Sequence, residues 1–281
     1  MTSLPVLTDP TVARVATQAK GEAPMRADYS EVFQKADAVE KYDTVVYAPG
    51  TYASAISRRQ RAYLRRLVDR EYRQRRPVQH DFGCGTGRAV RLLQGLVREA
   101  HGYDSSAAML DQARGANLPA QWHQVPDTGP QPRPAASSGP AIVTVFRVLL
   151  NAPQPTRERV MAFAARALPL SDSGLLVVEN HGNASSLRHL ARRRHAGDPW
   201  FNELRHRDVL HLLNRYGFEL VRRQGFAVFP PGAYRRAWLR PVVRRLDDIL
   251  CRTSLVSGFC TDVLYVARRR PAAKCSWRNR S

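Results

Sequence analysis

The stretch HDFGCGTGR (80–88) constrains this chain most, because three glycines recur there at alternate positions. Glycine is needed where a chain turns tightly, or where a ligand must approach the backbone without a Cβ in the way. The turn follows a predicted strand, VQHDF (78–82), and opens a predicted helix, GRAVRLLQGLV (87–97), the setting that a nucleotide-type ligand requires. Taken alone, the pattern is also that of a plain strand-to-helix turn. Its chemistry narrows the ligand. No Gly-Lys-Ser/Thr follows, which excludes a P-loop, and G-C-G-T-G lacks the G-x-G-x-x-G spacing of a dinucleotide site. Asp81 stands two residues before the first glycine, where a carboxylate would repel a diphosphate and pair with an ammonium.

Beyond Pro77 strands and helices alternate. The strand EAHGYD (99–104) ends in Asp104, ~20 residues past the glycines, where an acid suits ribose hydroxyls. The same acid could equally cap the helix 105–115, with Ser105 or Ser106. Strands at 120–125, 141–148, 174–181, 218–229 and 259–269 follow, with helices at 156–168 (capped by Thr156), 206–217 and 235–253 between them. A Pro/Gly/Ser loop, 127–140, interrupts them. Such alternation predicts an α/β fold, a doubly wound, mostly parallel sheet with helices on both faces. Ligands of these sheets bind beyond the carboxyl ends of the strands.

The segments D-F-G-C-G-T-G-R and G-Y-D-S-S resemble the first two motifs of the class I methyltransferases that use S-adenosylmethionine (SAM). The resemblance spans roughly 78–268 and implies a seven-stranded Rossmann-like sheet with an antiparallel last strand. It implies SAM as cofactor, with Gly83, Gly85 and Gly87 along its methionine end and Asp81 at its amino group. Asp104 would hold the ribose, Tyr103 or Ser105 would lie near the adenine, and Asp127 is a looser adenine-side match. Phe146, after the fourth strand, would pack beside the methyl group, with Arg147 and Asn151 as polar neighbours; ordinary core packing is the equal alternative for Phe146. Tyr42, Tyr47 and Tyr52 would belong to an N-terminal lid, where aromatic rings can face a sulfonium.

At the end of the fifth strand Glu179, Asn180, His181 and Asn183 form a polar group expected to face the acceptor, with His181 the candidate general base and Glu179 beside it. An amine acceptor would need no base, since in-line displacement is helped mainly by positioning. The expected organisation is an arm and helical cap over 1–74, with helices at 30–41 and 56–73, the cofactor domain over 75–269 and a disordered tail over 270–281. Within the domain, 230–257 is an insertion shaping the acceptor pocket with Tyr234 and Trp238. A homodimer through the N-terminal helices is an open expectation.

Composition excludes some classes. No apolar run approaches a membrane span, and no secretory signal is seen, so a cytoplasmic protein is expected. Cys84, Cys251, Cys260 and Cys275 have no zinc-site spacing and read as free thiols, and no metal is implied. The net charge of +20 invites a nucleic acid. Yet the arginines spread along helices, and F-R-V-L-L-N replaces the N/D-P-P-Y/F pattern of base-nitrogen methylation. The sequence therefore favours a small-molecule acceptor (natural product, sugar or lipid head group) over nucleic acid.

Overall fold

The computed structural model describes residues 51–270, apart from 74, 131, 137, 151, 169, 171–172, 193–202, 230–232, 234–237 and 252. Helix α1 (Tyr52–Tyr72) comes first. Thr51 caps it by accepting from the Ser54 amide at 3.1 Å, so it starts four residues before the predicted Ile56. It stops at Arg73, which turns into the left-handed region at φ 41.

Strands β1 (Val78–Phe82), β2 (Glu99–Asp104), β3 (Gln121–Gln124), β4 (Ala141–Val145) and β5 (Gly174–His181) are mutually parallel. Strand β7 (Asp262–Arg269) runs antiparallel between β5 and β6 (Phe218–Phe226), giving the order β3-β2-β1-β4-β5-β7-β6. The seven-stranded sheet and its antiparallel last strand match the expectation from sequence. Its switch point lies between β1 and β4, whose following connections lead to opposite sides, to β2 and to β5.

Between the strands lie α2 (Arg88–Leu93), α3 (Ala107–Gly115), α4 (Gln154–Ala167), α5 (Leu187–Arg192), α6 (His206–Arg215), α7 (Arg240–Leu250) and the short α8 (Ser254–Ser257). Central strands are buried on both faces, which is why β4 and the first half of β5 read as apolar runs, while β1 buries Gln79, His80 and Asp81 among them. Alternate residues feed two cores. Ile142, Leu175, Val177 and Leu264 pack beneath α1 and α2 with Leu64, Leu67 and Leu93. Val143, Leu176, Val178 and Tyr265 face the opposite side with Phe163 and Leu213.

Several boundaries differ from expectation, each for a local reason. Arg147 adopts φ 62 and ends β4 before 148, and Ala227 at φ 61 ends β6 before 229. Gly95, at φ 81, closes α2 early. Helix α4 begins two residues before Thr156, because Pro155 fits the first turn, whose amides need no helical partner. Pro241 likewise starts α7 rather than breaking a longer helix. The predicted helix 30–41, the arm before it and the tail after 270 lie outside the described residues. Cys84, Cys251 and Cys260 are buried free thiols.

Candidate active site

A cavity of about 630 Å³ opens at the carboxyl ends of β1, β2 and β4. Its floor is the glycine turn. Gly83 has φ 68, and a Cβ there would lie 2.3 Å from Val148 Cγ2, so any side chain meets strain and overlap together. Gly83→Ala is expected to cost SAM binding at least tenfold, roughly the 1.4 kcal/mol of one strained backbone position; titration calorimetry at matched protein concentration checks it. Gly85 faces open space, its nearest neighbour being Met109 Sδ at 3.7 Å from a built Cβ. Gly87 departs from expectation. It does not border the cavity but begins α2 beneath Trp122 and Leu118, which a Cβ would meet at 2.7 and 2.8 Å, so its role is packing.

Two carboxylates border the turn. Asp81 is 1 % exposed; its Oδ1 accepts from the Thr144 hydroxyl at 2.7 Å, while its Oδ2 is buried with no hydrogen-bond partner among the described residues. Burial, with the nearby Asp104 charge, pushes its pKa up to about 7. Asp104 ends β2 and is tied to the turn, Oδ2 accepting from the Gly85 amide at 2.7 Å and Oδ1 from the Ser106 amide at 3.0 Å. Burial raises its pKa while those amides oppose the rise. Ser106, rather than Ser105, caps α3, accepting from the Met109 amide at 3.2 Å.

Ser105 and Asp127 both border the cavity, on its β2–β3 side. Tyr103 does as well, but its ring is committed to the core. It stacks on His123 with centroids 4.7 Å apart, and its hydroxyl meets His80 Nδ1 at 3.2 Å and accepts from the Ala135 amide at 2.8 Å. Sequence reasoning missed Arg159. Buried on α4, it donates to the carbonyls of Pro126, Gly129 and Pro130, each at 2.8 Å, and fixes the loop carrying Asp127. A helical arginine bound to carbonyls leaves no mark in sequence.

At the end of β4, Phe146 and Arg147 border the cavity. The Phe146 ring is buried and lies under the Arg88 guanidinium at 5.5 Å, so it packs in the core while bordering the cavity.

The end of β5 departs from expectation as a group. Glu179, Asn180, His181 and Asn183 do not border the cavity. Glu179 is fully buried, accepting from Gln60 Nε2 of α1 at 2.6 Å and pairing with Arg88 of α2 at 2.8 Å. Burial would raise its pKa, but Arg88 and Arg147 override this and hold it below the usual carboxylate range. Asn180 donates to the Leu204 carbonyl at 3.1 Å, and Asn183 donates to the carbonyls of Gly258 and Cys260 at 2.7 and 3.1 Å. Glu179 thus joins two helices, and the two asparagines hold loops together. His181 keeps a buried Nδ1 without a hydrogen-bond partner among the described residues, and burial with the Arg147 charge lowers its pKa to about 3. Such an imidazole is neutral at pH 7 and a weak base, poorly matched to proton abstraction there. Opposite it on β7 stands buried Asp262, which accepts from the Tyr52 hydroxyl at 3.3 Å, a contact no sequence pattern signals. Tyr42, Asn151 and Tyr234 lie outside the described residues, and Trp238 is 74 % exposed.

A family model described as a methyltransferase domain matches residues 52–223. The chain belongs to this family. The protein is thus a SAM-dependent methyltransferase, and its sheet is the Rossmann-like form of that fold. Solved structures agree on the fold of this methyltransferase. The DhpI–SAH complex matches at 14 % identity and a TM-score of 0.51, covering 88 % of this chain and 100 % of that one. Magnesium protoporphyrin IX methyltransferase (ChlM) from Synechocystis PCC 6803 with bound SAH matches at 14 % identity and a TM-score of 0.51, covering 84 % and 99 %. None of the curated proteins matches the methyltransferase.

Proposed function

We propose that this methyltransferase carries a methyl group from SAM to an oxygen or nitrogen of a small-molecule acceptor. One observation carries the cofactor half of the reading: the unpartnered Oδ2 of Asp81, buried beside a glycine turn too tight for a side chain. A buried carboxylate oxygen lacking a donor is costly, and an incoming ammonium supplies one. SAM presents that ammonium and no phosphate, and when bound it supplies an electrophilic methyl group.

The chain's own residues divide the work. Asp81 holds the amino group, the Gly83–Gly85 backbone lies along the methionine end, and Asp104 receives the ribose hydroxyls. Ser105 and Asp127 edge the adenine side, whose wall Arg159 keeps in place. Phe146 and Arg147 shape the end nearest the reacting methyl. With His181 a weak base, rate enhancement comes from holding donor and acceptor in line and excluding water. Support for a small acceptor comes from the bounded size of the cavity, about 630 Å³, from the lack of the base-methylation motif, and from fold relatives such as the porphyrin methyltransferase. A nucleic-acid acceptor is the second reading, favoured by the +20 charge alone.

The test is methyl incorporation from labelled SAM into a metabolite extract and, separately, into tRNA and rRNA. Label in low-molecular-weight product supports the first reading, and label confined to RNA overturns it. A pH dependence follows from Asp81. Its folded pKa, raised to about 7, means the free site is protonated below that pH, so ammonium binding must first expel a proton. SAM affinity is expected to rise up to tenfold per pH unit toward about 7, then fall above ~8 as the ligand's own α-amino group deprotonates. Asp81→Asn should flatten the lower limb. Calorimetry across this range checks it, and a pH-independent affinity in the parent protein removes Asp81 from the role.

A further inference from the structure

We propose that helix α7 and the turns beside it form a docking edge that seats the protein on an anionic lipid bilayer, a property beyond the methyl-transfer reading. The helix has two unlike sides. On the inner one Val243 and Asp247 are buried, and Asp247 accepts from the Val228 amide at 2.6 Å and pairs with Arg59 of α1. On the outer one Val242, Leu246 and Ile249 are 54, 45 and 62 % exposed. Their spacing of four and three residues sets them in one ridge along the helix. Trp238 precedes the ridge, and Leu255 and Phe259 follow it, all more than half exposed. Soluble monomers rarely expose so many large apolar side chains in so short a stretch.

The charges beside the ridge choose its occupant. Arg244 and Arg245 are exposed on the same helix. The Arg59–Asp248 pair, at 2.8 Å, ties α7 to α1, whose outer side exposes Arg58, Arg61 and Arg65 at helical spacing. The acid on α7's outer side, Asp248, is thereby already matched. An apolar ridge flanked by cations that have no acidic partner among the described residues suits a surface offering acyl chains beneath anionic head groups. A second copy meeting this ridge about a twofold axis would set arginines against arginines. A nucleic acid would leave the aliphatic ridge in water. Among the described residues no helix is long and apolar enough to cross a membrane, so the protein would lie on the bilayer.

The position in the fold gives the docking a purpose. The segment joins β6 to β7, and β7 begins with Asp262 opposite His181 at the carboxyl end of β5. That is the edge of the sheet at which the cavity opens. Seating on α7 would bring this edge toward the membrane surface.

Co-sedimentation of the full chain with vesicles tests the proposal, without methyl donor or acceptor, so its failure leaves the cofactor reading intact. Vesicles of phosphatidylcholine mixed with phosphatidylglycerol are expected to bind the protein, and phosphatidylcholine alone is not. The double variant Leu246→Ser, Ile249→Ser, on exposed positions and checked for an unchanged melting temperature, should weaken that binding at least ~tenfold. Brominated acyl chains should quench a part of the fluorescence that Trp238→Phe removes. Binding that Arg244→Gln and Arg245→Gln weaken but the serine variant leaves unchanged would mean bare charge attraction and overturn the proposal. So would a dimer in sedimentation that the serine variant dissociates, with no vesicle binding.

Discussion

Glu179→Ala is expected to destabilise the folded protein by ~3–5 kcal/mol, the usual cost of removing one partner from a buried ion pair. The carboxylate is fully buried between α1 and α2, and it neutralises an Arg88 side chain that is itself only 13 % exposed. Without it, Arg88 loses the buried carboxylate it pairs with, while its contacts to Ser57, Gln60 and the Phe146 ring remain. Two helices that cover one core would lose their common anchor. Urea denaturation measures the loss. Glu179→Gln should recover some of it by keeping the Gln60 contact. A Glu179→Ala protein that unfolds like its parent yet has lost turnover would return this residue to the acceptor-side role that its place near the end of β5 first suggested.

Asp104→Ala is expected to weaken SAM binding by ~1.5–3 kcal/mol, or roughly ten- to 150-fold, as for a lost charged hydrogen-bonding group. Two consequences combine there. The ribose loses its acceptor, and the Gly85 and Ser106 amides lose the carboxylate that fixes the glycine turn against α3. A double-mutant cycle separates them, pairing Asp104→Ala with SAH analogues lacking a ribose hydroxyl. If the hydroxyl deletion costs the variant as much as it costs the parent, Asp104 serves the turn alone.

The glycine turn and the carboxylates bordering the cavity were legible in the sequence because their chemistry is local. A tight turn needs glycine, an ammonium needs a carboxylate, and both stand next to one another around Asp81. Likewise the alternation of apolar runs and amphipathic helices led to the observed sheet. The acceptor side was misread for the opposite reason. Polar residues after an apolar strand look like a pocket, yet Glu179 meets Gln60 and Asn183 meets Gly258, partners 119 and 75 residues away. No pattern near residue 180 announces them. Arg159 was invisible because its partners are main-chain oxygens, and Gly87 was misassigned because neighbouring glycines in one turn can serve a ligand and a tryptophan separately.

The bond pattern of Arg159 has one more consequence. Prolines have no amide hydrogen to offer, and in the turn carrying Pro126 and Pro130 the Arg159 guanidinium gathers three carbonyl oxygens instead. That wall of the crevice sets hard as α4 docks, ahead of any visitor. Nucleosides entering there find a mould already cast, and the freedom surrendered on binding is largely their own.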